Sequence, residues 1–458
     1  TEADIRENIV RKGQITAVIG LPTNLFYGTG IPACIILIDK ENAINRQGIF
    51  MIDASKGFIK AGNKNRLREM DIHRIVDVFE KKIEIDGYSK LVSFTELEKN
   101  DFNLNIPRYI DSSGTDDLQD IEAHLLGDIP KHDINELQVY WEILPELKKH
   151  LFKTSSRSNK FVSLQVAINE IRQTIHRHSD FINYMEDMTS VFFSWKSSAE
   201  EKLISLEKGL SPKSIIYSIS EELLSAYHSK ALINKYDVYQ HLMNYWLKVM
   251  QDDCYIIAED DWNSKTHRVL VKATSGQKKG KKVDKGWDCD LIPKELVINR
   301  YFVNEQEYIN ELNIELEDWN SKKIEMEEEY GGEDGFFAEL EKINKTTINR
   351  RLKEIKMEPD SLDEKVVLNH YLELVSQEAK TKKSIKEQDI KLDNSLIEFY
   401  PSLSEQQIKE LVVKDKWLSA IEKDINSEMN RINQHLTHRI KELAERYEKP
   451  LPQQNIEA

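Results

Sequence analysis

The chain has 458 residues, of which 40% are hydrophobic and 31% charged, and its formal net charge is -15. At a typical ~150 residues per domain, this length predicts about three domains with sizeable cores. The negative charge excludes a protein that coats nucleic acid generally, so any DNA contact must be local or shared with a partner. The longest apolar runs, such as residues 35–38, fall far short of the ~20 residues of a membrane-spanning helix, which excludes a membrane span.

Cysteine usage and the first residues bear on the cellular setting. Only Cys34, Cys254 and Cys289 occur, too few and too scattered for a disulfide framework or a four-ligand zinc site. We therefore expect a reducing, cytoplasmic location. The chain opens at Thr1 with a polar segment that lacks the basic and apolar regions of a signal peptide. From this opening we expect the chain to begin inside a larger protein.

Residues 1–112 alternate helical and strand-like patterns. A helical face at the start is followed by short runs rich in Ile and Val at 15–19, 32–38 and 48–52. Such runs, bounded by Gly, Pro and Asn, predict three or four strands covered by helices. Since a doubly wound sheet usually has more strands, we interpret this region as part of a larger sheet. Exposed sheet edges would then favour association.

The middle of the chain is predicted to be mainly helical. A small, acidic segment at 111–117 predicts a linker, and helical periodicity dominates from about 136 to 251. Two strands are expected at 254–258 and 268–273, and a lysine-rich loop at 275–286 follows them.

The last part of the chain predicts long helices. Apolar residues recur at alternating three and four spacing through 309–330, which is a heptad seam that ends at Gly331. A second stripe covers 418–447 and stops before Pro450. We expect antiparallel coiled-coil packing of long helices.

These patterns predict a mixed α/β part followed by a mainly α part. The predicted domains are an α/β domain at 1–112, a mainly helical domain with a small β element and the lysine-rich loop at 113–293, and a long-helix, coiled-coil region at 294–458.

Several chemistries have incomplete motifs. The segment 57–64 resembles a phosphate loop but has one residue too many and no Ser or Thr after its lysine, so ATP hydrolysis is not expected. The histidines lack an acidic third ligand and the glutamates of 325–334 are typical of a solvated helix end, so we expect no metal site. A nuclease is disfavoured because Asp252, Asp253 and Glu259 lack a following lysine.

The sharpest local feature lies between residues 24 and 39. Phe26 and Tyr27 stand directly before a flexible Gly-Thr-Gly turn, and an apolar strand follows. Aromatic side chains at the edge of a strand suit stacking on a planar ligand, and a nucleobase extruded from DNA is such a ligand. The alternative is a hydrophobic cap, the commoner role of a Phe-Tyr pair before a turn.

At this point the sequence resembles a known family. The segments GLPTNLFYGTGIPACIILIDK (20–40), FMIDASKGF (50–58) and NDFNLNIPRYID (100–111) resemble the M subunit of type I restriction-modification systems. The resemblance continues through YDVYQHLMNYW (236–246), MQDDCYIIAEDDW (250–262), LIPKELVINRYF (291–302), LVVKDKW (411–417) and LTHRIKELAERYEKPLPQ (436–453). These later segments resemble the version of the subunit with a long C-terminal extension.

The resemblance implies a fold and an activity. M subunits are DNA adenine-N6 methyltransferases with a Rossmann-like sheet that use S-adenosylmethionine and act on a flipped base. The family's glycine motif for that cofactor and its catalytic Asn-Pro-Pro-Phe tetrad are absent here. The chain therefore resembles the C-terminal portion of the methyltransferase domain with a helical extension, and we expect it to bind no cofactor and to be inactive alone, with no catalytic residue of its own.

The resemblance also suggests site residues and partners. Phe26 matches an aromatic wall of the base pocket, Tyr27 is a second stacking candidate, and the neighbours of the pocket are Asn24, Gly28, Thr29 and Gly30. Implied partners are a specificity subunit, a restriction subunit, a second M subunit and double-stranded DNA. Candidates for contact with DNA phosphates, or for a solvated hairpin tip, are Lys278, Lys279, Lys281, Lys282 and Lys285.

The long helices have two open roles. They suit docking on a partner's helices, and they equally suit packing within the chain. The candidate side chains are Leu312, Leu316, Trp319, Met326, Ile425, Ile432, Leu436 and Leu443. An alternative function for the whole chain is a non-catalytic assembly module that only makes protein contacts.

Overall fold

The computed structural model describes residues 1–112, 118–272, 282–333, 335–340, 342–358 and 361–448. The chain forms two compact units. The first comprises 1–205, 211–252 and 418–458, and the second comprises 206–210 and 253–417. This division by compactness differs from the sequence-based division after residues 112 and 293, which stays a prediction.

The N-terminal part of the first unit contains a four-stranded sheet in the order β2-β1-β3-β6. Strands β1 and β3 are parallel, whereas β2 and β6 pair antiparallel with their neighbours. The elements are α1 (Glu2–Arg11), β1 (Ile15–Gly20), β2 (Cys34–Ile38), β3 (Gly48–Asp53), β4 (Ile59–Ala61), β5 (Lys64–Arg66), α2 (Glu69–Lys81), β6 (Ser89–Ser93) and α3 (Phe94–Lys99). The expected three or four strands are thus present in this sheet, and β4 and β5 form a separate hairpin.

The central strand β3 and the edge strand β2 of this sheet are covered unequally. All six residues of β3 are buried because apolar clusters pack on both of its faces. Strand β2 lies at the edge, and Ile35, Ile36 and Ile38 are 44%, 47% and 58% exposed. The expected exposed apolar edge is therefore found at β2.

The rest of the first unit is mainly helical. Its elements before the second unit are α4 (Ile121–Leu126), β7 (Ile129–Pro130), α5 (Lys131–Asn135), α6 (Gln138–Ile143), α7 (Pro145–Leu151), β8 (Phe152–Thr154), β9 (Phe161–Leu164), α8 (Ile171–Arg177), α9 (Ser179–Ile204), α10 (Pro212–Ala226) and α11 (Lys235–Tyr245). Strands β7, β9 and β8 make a small antiparallel sheet. A π-helical stretch at Trp246–Met250 leads towards the second unit.

The second unit follows from α12 onward. The elements are α12 (Gln251–Asp260), β10 (His267–Lys272), β11 (Lys282–Asp288), α13 (Lys294–Tyr301), α14 (Val303–Tyr330), α15 (Lys345–Glu354), α16 (Leu362–Phe399) and α17 (Glu405–Lys409). A π-helical stretch at Glu410–Leu418 precedes α18 (Ser419–Glu448), which belongs to the first unit. The strand predicted at 254–258 is wrong, because these residues lie in α12 with Cys254 and Ile257 on its buried face. The strand predicted at 268–273 is found as β10.

Helices α14 and α16 pack along each other as an antiparallel pair. Lys323 Nζ is 2.9 Å from an oxygen of Glu378, and Tyr371 contacts Glu327, so the contacts run in opposite chain directions. Helix α14 ends at Gly331 as the sequence indicated. Its partner α16 was not assigned in the sequence analysis, whereas α18 packs in the first unit against α8 and α11. Within the described ranges, no helix combines the length and the apolar character needed to cross a membrane.

Candidate functional site

The loop that follows β1 presents two aromatic side chains to solvent. Leu21 is buried at the end of the strand, and Leu25 packs partly buried against the apolar cluster beside β1 and β3. Between these anchors and the turn, Phe26 is 51% exposed and Tyr27 is 94% exposed. The two predicted stacking residues therefore lie side by side on the surface, where a planar ligand can reach them.

The predicted neighbours of these aromatic residues belong to the same turn. Gly28 has φ +80°, a left-handed conformation that favours glycine. The Thr29 hydroxyl accepts a hydrogen bond of 3.1 Å from the Ile31 amide, and a Cβ added to Gly30 would lie 3.1 Å from Oδ1 of Asn24. The fold thus brings Asn24, Gly28, Thr29 and Gly30 together next to the aromatic pair. We call residues 23–30 the aromatic loop.

The β4–β5 hairpin donates hydrogen bonds to the aromatic loop. Lys64 Nζ donates to the carbonyl of Phe26 at 2.8 Å. The backbone amide of Asn65 donates to the carbonyl of Asn24 at 3.1 Å, and its side-chain Nδ2 donates to the carbonyl of Thr23 at 2.7 Å. Lys64 is the last residue of the segment 57–64 that resembles a phosphate loop, and Asn65 follows it directly. Their contact with the aromatic residues was not predictable from the sequence.

A cavity of about 450 Å³ opens at the same end of the sheet. Its lining includes Gly20 of β1, Cys34 of β2 and Asp53 at the end of β3. Burial acts to raise the pKa of Asp53, but hydrogen bonds from Ser55 and Ser112 outweigh it and hold that pKa below its usual value. Asp53 is therefore an ionised carboxylate that residues of the chain already satisfy.

This strand end does not fit the cofactor that the family resemblance implies. After β1 the chain runs into the aromatic loop and then back into β2, whereas a nucleotide-binding turn leads from a strand into a helix N-terminus. The Asp53 carboxylate accepts hydrogen bonds from Ser55 and Ser112. Among the described residues, no group of three or more His, Cys, Asp or Glu side chains is placed to hold a metal ion.

The lysine candidates are only partly described. Lys282 and Lys285 lie exposed on β11, which pairs with β10 as an isolated two-stranded ribbon. Arg268 on β10 forms a 2.6 Å ion pair with Asp284, so part of the positive charge of the ribbon is compensated. Lys278, Lys279 and Lys281 lie outside the described residues.

The partner-helix candidates are covered by the chain itself. Trp319 packs partly buried against the core of the α14–α16 pair, and Leu316 is half-buried. Six of the candidates are buried in the unit to which each belongs: Leu312, Met326, Ile425, Ile432, Leu436 and Leu443. The structure therefore favours the internal-packing alternative for these six side chains.

A buried ion pair connects Asp253 with Lys416 in the second unit. Asp253 in α12 is 4% exposed, and its carboxylate lies 2.7 Å from Lys416 Nζ and accepts a 2.7 Å hydrogen bond from Trp417 Nε1. The neighbouring Cys254 is also buried, and burial raises the pKa of its thiol to about 12. This cluster is part of the core of the second unit, and because its partners lie far apart in the sequence, spacing alone could not reveal it.

A second polar cluster lies in the first unit between α2 and α11. Asp77 accepts hydrogen bonds from Lys235 Nζ at 2.7 Å and from the Tyr236 hydroxyl at 2.6 Å, and it also contacts Lys81. Burial acts to raise the pKa of Asp77, but these donors outweigh it and hold the pKa well below its usual value. The cluster thus fastens a helix of the sheet region to the helical region.

The first part of the chain matches a known family. Residues 1–117 match the model of the N-6 DNA Methylase family. The match lies within the first unit and includes the four-stranded sheet. The aromatic loop and its hairpin lie within this matching segment, and the resemblance to M subunits is confirmed there.

Individual relatives of the chain are methylase subunits of type I restriction enzymes. The chain is 41% identical over 113 residues to a type I restriction enzyme MjaVII methylase subunit from Methanocaldococcus jannaschii. The aligned part covers 24% of this chain and 20% of the relative. It is 33% identical over 136 residues to the MpnII methylase subunit from Mycoplasma pneumoniae, which covers 30% and 24%. The chain thus matches about a fifth to a quarter of the length of these relatives.

A solved structure shows the same partial match. The type I restriction-modification methyltransferase subunit from Streptococcus thermophilus is 40% identical over 24% of this chain and 23% of its own, with a TM-score of 0.23. That score is too low to support a statement about the fold. The resemblance of residues 236–453 to the long C-terminal extension stays a prediction.

Proposed function

We propose that this chain is part of the modification subunit of a type I restriction-modification system, which methylates adenine N6 in DNA. The observation that supports this most is the exposed aromatic loop inside the segment that matches the N-6 DNA methylases. A methyl donor cannot reach the adenine amino group inside a duplex, so the base must be flipped out and held. Phe26 would stack on the flipped base, and Tyr27 would extend the stacking surface.

The chain contributes binding to this reaction and no reacting group. We propose that S-adenosylmethionine and the Asn-Pro-Pro-Phe tetrad are provided by parts of the methylase outside this chain, and that the chain alone is inactive. The specificity subunit would read the DNA sequence, which fits the net charge of -15 because base recognition is then delegated. A restriction subunit and a second modification subunit complete the proposed assembly, in the cytoplasm.

The β10–β11 ribbon is a proposed contact to the DNA backbone. Lys282 and Lys285 are exposed on it, and two-stranded ribbons have dimensions that suit DNA grooves. Replacing both lysines with glutamine should reduce the slope of log affinity against log salt by about 2, since each phosphate contact contributes about 0.9. An unchanged slope would favour the solvated hairpin tip.

The stacking role of Phe26 is tested in the assembled methylase. Base stacking is worth roughly 1–3 kcal/mol, so Phe26→Ala should lower kcat/KM for duplex DNA by at least about fivefold. Phe193→Ala is the matched control, because Phe193 is 49% exposed in the same unit but lies on α9. Equal activity of both variants would contradict the stacking role and favour the hydrophobic cap.

The alternative of a non-catalytic assembly module makes a different prediction. An assembly module would bind the specificity subunit, and no variant of the aromatic loop would change methyl transfer by the assembled complex. Binding of this chain to the specificity subunit in size-exclusion chromatography, combined with the Phe26→Ala activity, separates the two functions.

A further inference from the structure

Part of the segment that resembles a phosphate loop belongs to the β4–β5 hairpin in the structure. Residues 59–66 form the β4–β5 hairpin, with Ile59 paired to Arg66 and Ala61 to Lys64 around a turn at Gly62. Its second strand faces the aromatic loop. Three carbonyl groups of that loop, those of Thr23, Asn24 and Phe26, accept hydrogen bonds from Lys64 and Asn65.

These three hydrogen bonds act on a segment without regular secondary structure. Between Leu21 and the start of β2 the loop has no strand or helix of its own. Its carbonyl groups therefore depend on donors from elsewhere in the chain. The bond from the Lys64 ammonium is charge-assisted, which makes it stronger than a bond between neutral groups. The hairpin thus provides the hydrogen bonds that a neighbouring strand would provide in a regular sheet.

The hairpin and the loop share an anchor in the core. Leu25 of the loop and Leu67, directly after β5, both pack against the same apolar cluster. With Leu25 held inside and the carbonyls on either side of it bonded to the hairpin, the side chains of Phe26 and Tyr27 are left to point outward. Lys64 Nζ also lies 5.9 Å from the centre of the Tyr27 ring, within the range of a cation–π contact.

We propose that Lys64 and Asn65 are positioning residues for the base-stacking surface. A stacking surface that is ordered before the base arrives loses less conformational entropy when the base binds. The two residues fix the backbone from Thr23 to Phe26 and so hold the Phe26 ring in place for the flipped adenine. This inference rests on the proposed function, because it assumes that Phe26 stacks on the target base.

Two variants remove the donors and two matched variants serve as controls. Lys64→Met keeps the aliphatic stem but cannot donate, and Asn65→Asp keeps the shape but loses the donor to Thr23. Lys60→Met and Asn63→Asp make the same chemical changes in the same hairpin, and both controls are exposed. The assembled methylase is assayed for kcat and KM on duplex DNA, and base flipping is followed with a duplex that carries 2-aminopurine at the target adenine.

The positioning role predicts a specific pattern. Lys64→Met and Asn65→Asp should each lower kcat/KM about fivefold and reduce the 2-aminopurine signal, while both controls stay within about twofold. Lys64→Arg, which keeps a charged donor, should recover most of the activity. In the double variant Phe26→Ala/Lys64→Met, the loss should equal that of Phe26→Ala alone, because the lysine acts through the ring.

The outcomes separate this inference from the proposed function. If Phe26→Ala has no effect, base stacking is contradicted and the positioning role is lost with it. If Phe26→Ala lowers kcat/KM but Lys64→Met and Asn65→Asp behave like their controls, only the positioning role is overturned. A double variant whose loss is the product of the two single losses also overturns it.

Discussion

Two regions with distinctive sequences have opposite environments. The aromatic loop lies on the surface, with Tyr27 94% exposed, and hydrogen bonds from one hairpin hold its backbone. The segments around Asp253 and Trp417 are equally distinctive in sequence, but they form a buried cluster around a 2.7 Å ion pair. A distinctive sequence segment can therefore lie at the surface or in a core, and burial distinguishes the two.

The largest effect is expected in the buried cluster. Lys416→Met should destabilise the second unit by about 3–5 kcal/mol, because it leaves the buried Asp253 carboxylate without its cation. Denaturant unfolding followed by tryptophan fluorescence measures this change. Lys391→Met, at an exposed position in α16, is the control and should change the stability by less than about 0.5 kcal/mol. Equal stabilities would show that the ion pair is dispensable.

A smaller effect is expected at Asp77, with a defined pH dependence. Asp77→Asn should lower the free energy of unfolding by about 2 kcal/mol at neutral pH, because charge-assisted hydrogen bonds from Lys235 and Tyr236 are weakened. Since the pKa of Asp77 is lowered in the folded state, its contribution is present above the unfolded pKa of about 3.9 and is lost as pH falls through the folded pKa. The variant and the wild type should therefore converge in stability in acid.

The control for Asp77 lies on the same helix. Glu80→Gln removes one negative charge at an exposed position of α2. It should change the free energy of unfolding little, both at neutral pH and in acid. A pH-independent difference between wild type and Asp77→Asn would contradict the ionised role of Asp77.

A charged substitution in the edge strand β2 should change self-association more than it changes stability. Ile36→Lys places a charge on β2 where the side chain is 47% exposed, so the unfolding free energy should change by about 0.5 kcal/mol or less while self-association decreases. Sedimentation at several concentrations measures the association. Leu37→Lys, at the next residue, should unfold the sheet region instead, because Leu37 packs against its apolar cluster. If Ile36→Lys leaves self-association unchanged, the exposed edge strand does not cause the self-association.

The smallest effect on stability is expected for the residue most important to the proposed function. Phe26→Ala should change the free energy of unfolding by less than about 0.5 kcal/mol, because half of the side chain already contacts solvent. Thermal unfolding measures this change. A loss of more than about 1.5 kcal/mol would indicate that Phe26 is a hydrophobic cap, and the contrast with the buried cluster would disappear.

Local patterns in the sequence were sufficient for several of the regular elements. The β-branched runs at 15–19 and 48–52 became β1 and β3, and the stripe through 418–447 became α18, since these patterns repeat over the whole element. The strand predicted at 254–258 failed because a five-residue apolar run fits a helix as well, and burial of Cys254 and Ile257 on one face decided for the helix.

The contacts that shape the candidate site could not be read from spacing. Nothing in the order of residues links Lys64 to the carbonyl of Phe26, because a side-chain donor to the backbone leaves no pattern at the acceptor. The same holds for Lys416 and Asp253, which are far apart in the sequence. The aromatic pair itself was predictable because exposed aromatic residues before a glycine turn stand out in sequence.

The hydrogen bond between Asp253 and Trp417 has a consequence for how the chain is built. These residues are the first and last of the long segment that makes up nearly all of the second unit, and they lie 2.7 Å apart. Within the second unit, a side-chain hydrogen bond therefore holds the two ends of the segment 253–417 together. Because these ends already meet, we expect a change in the length of the segment between them to leave both ends in place.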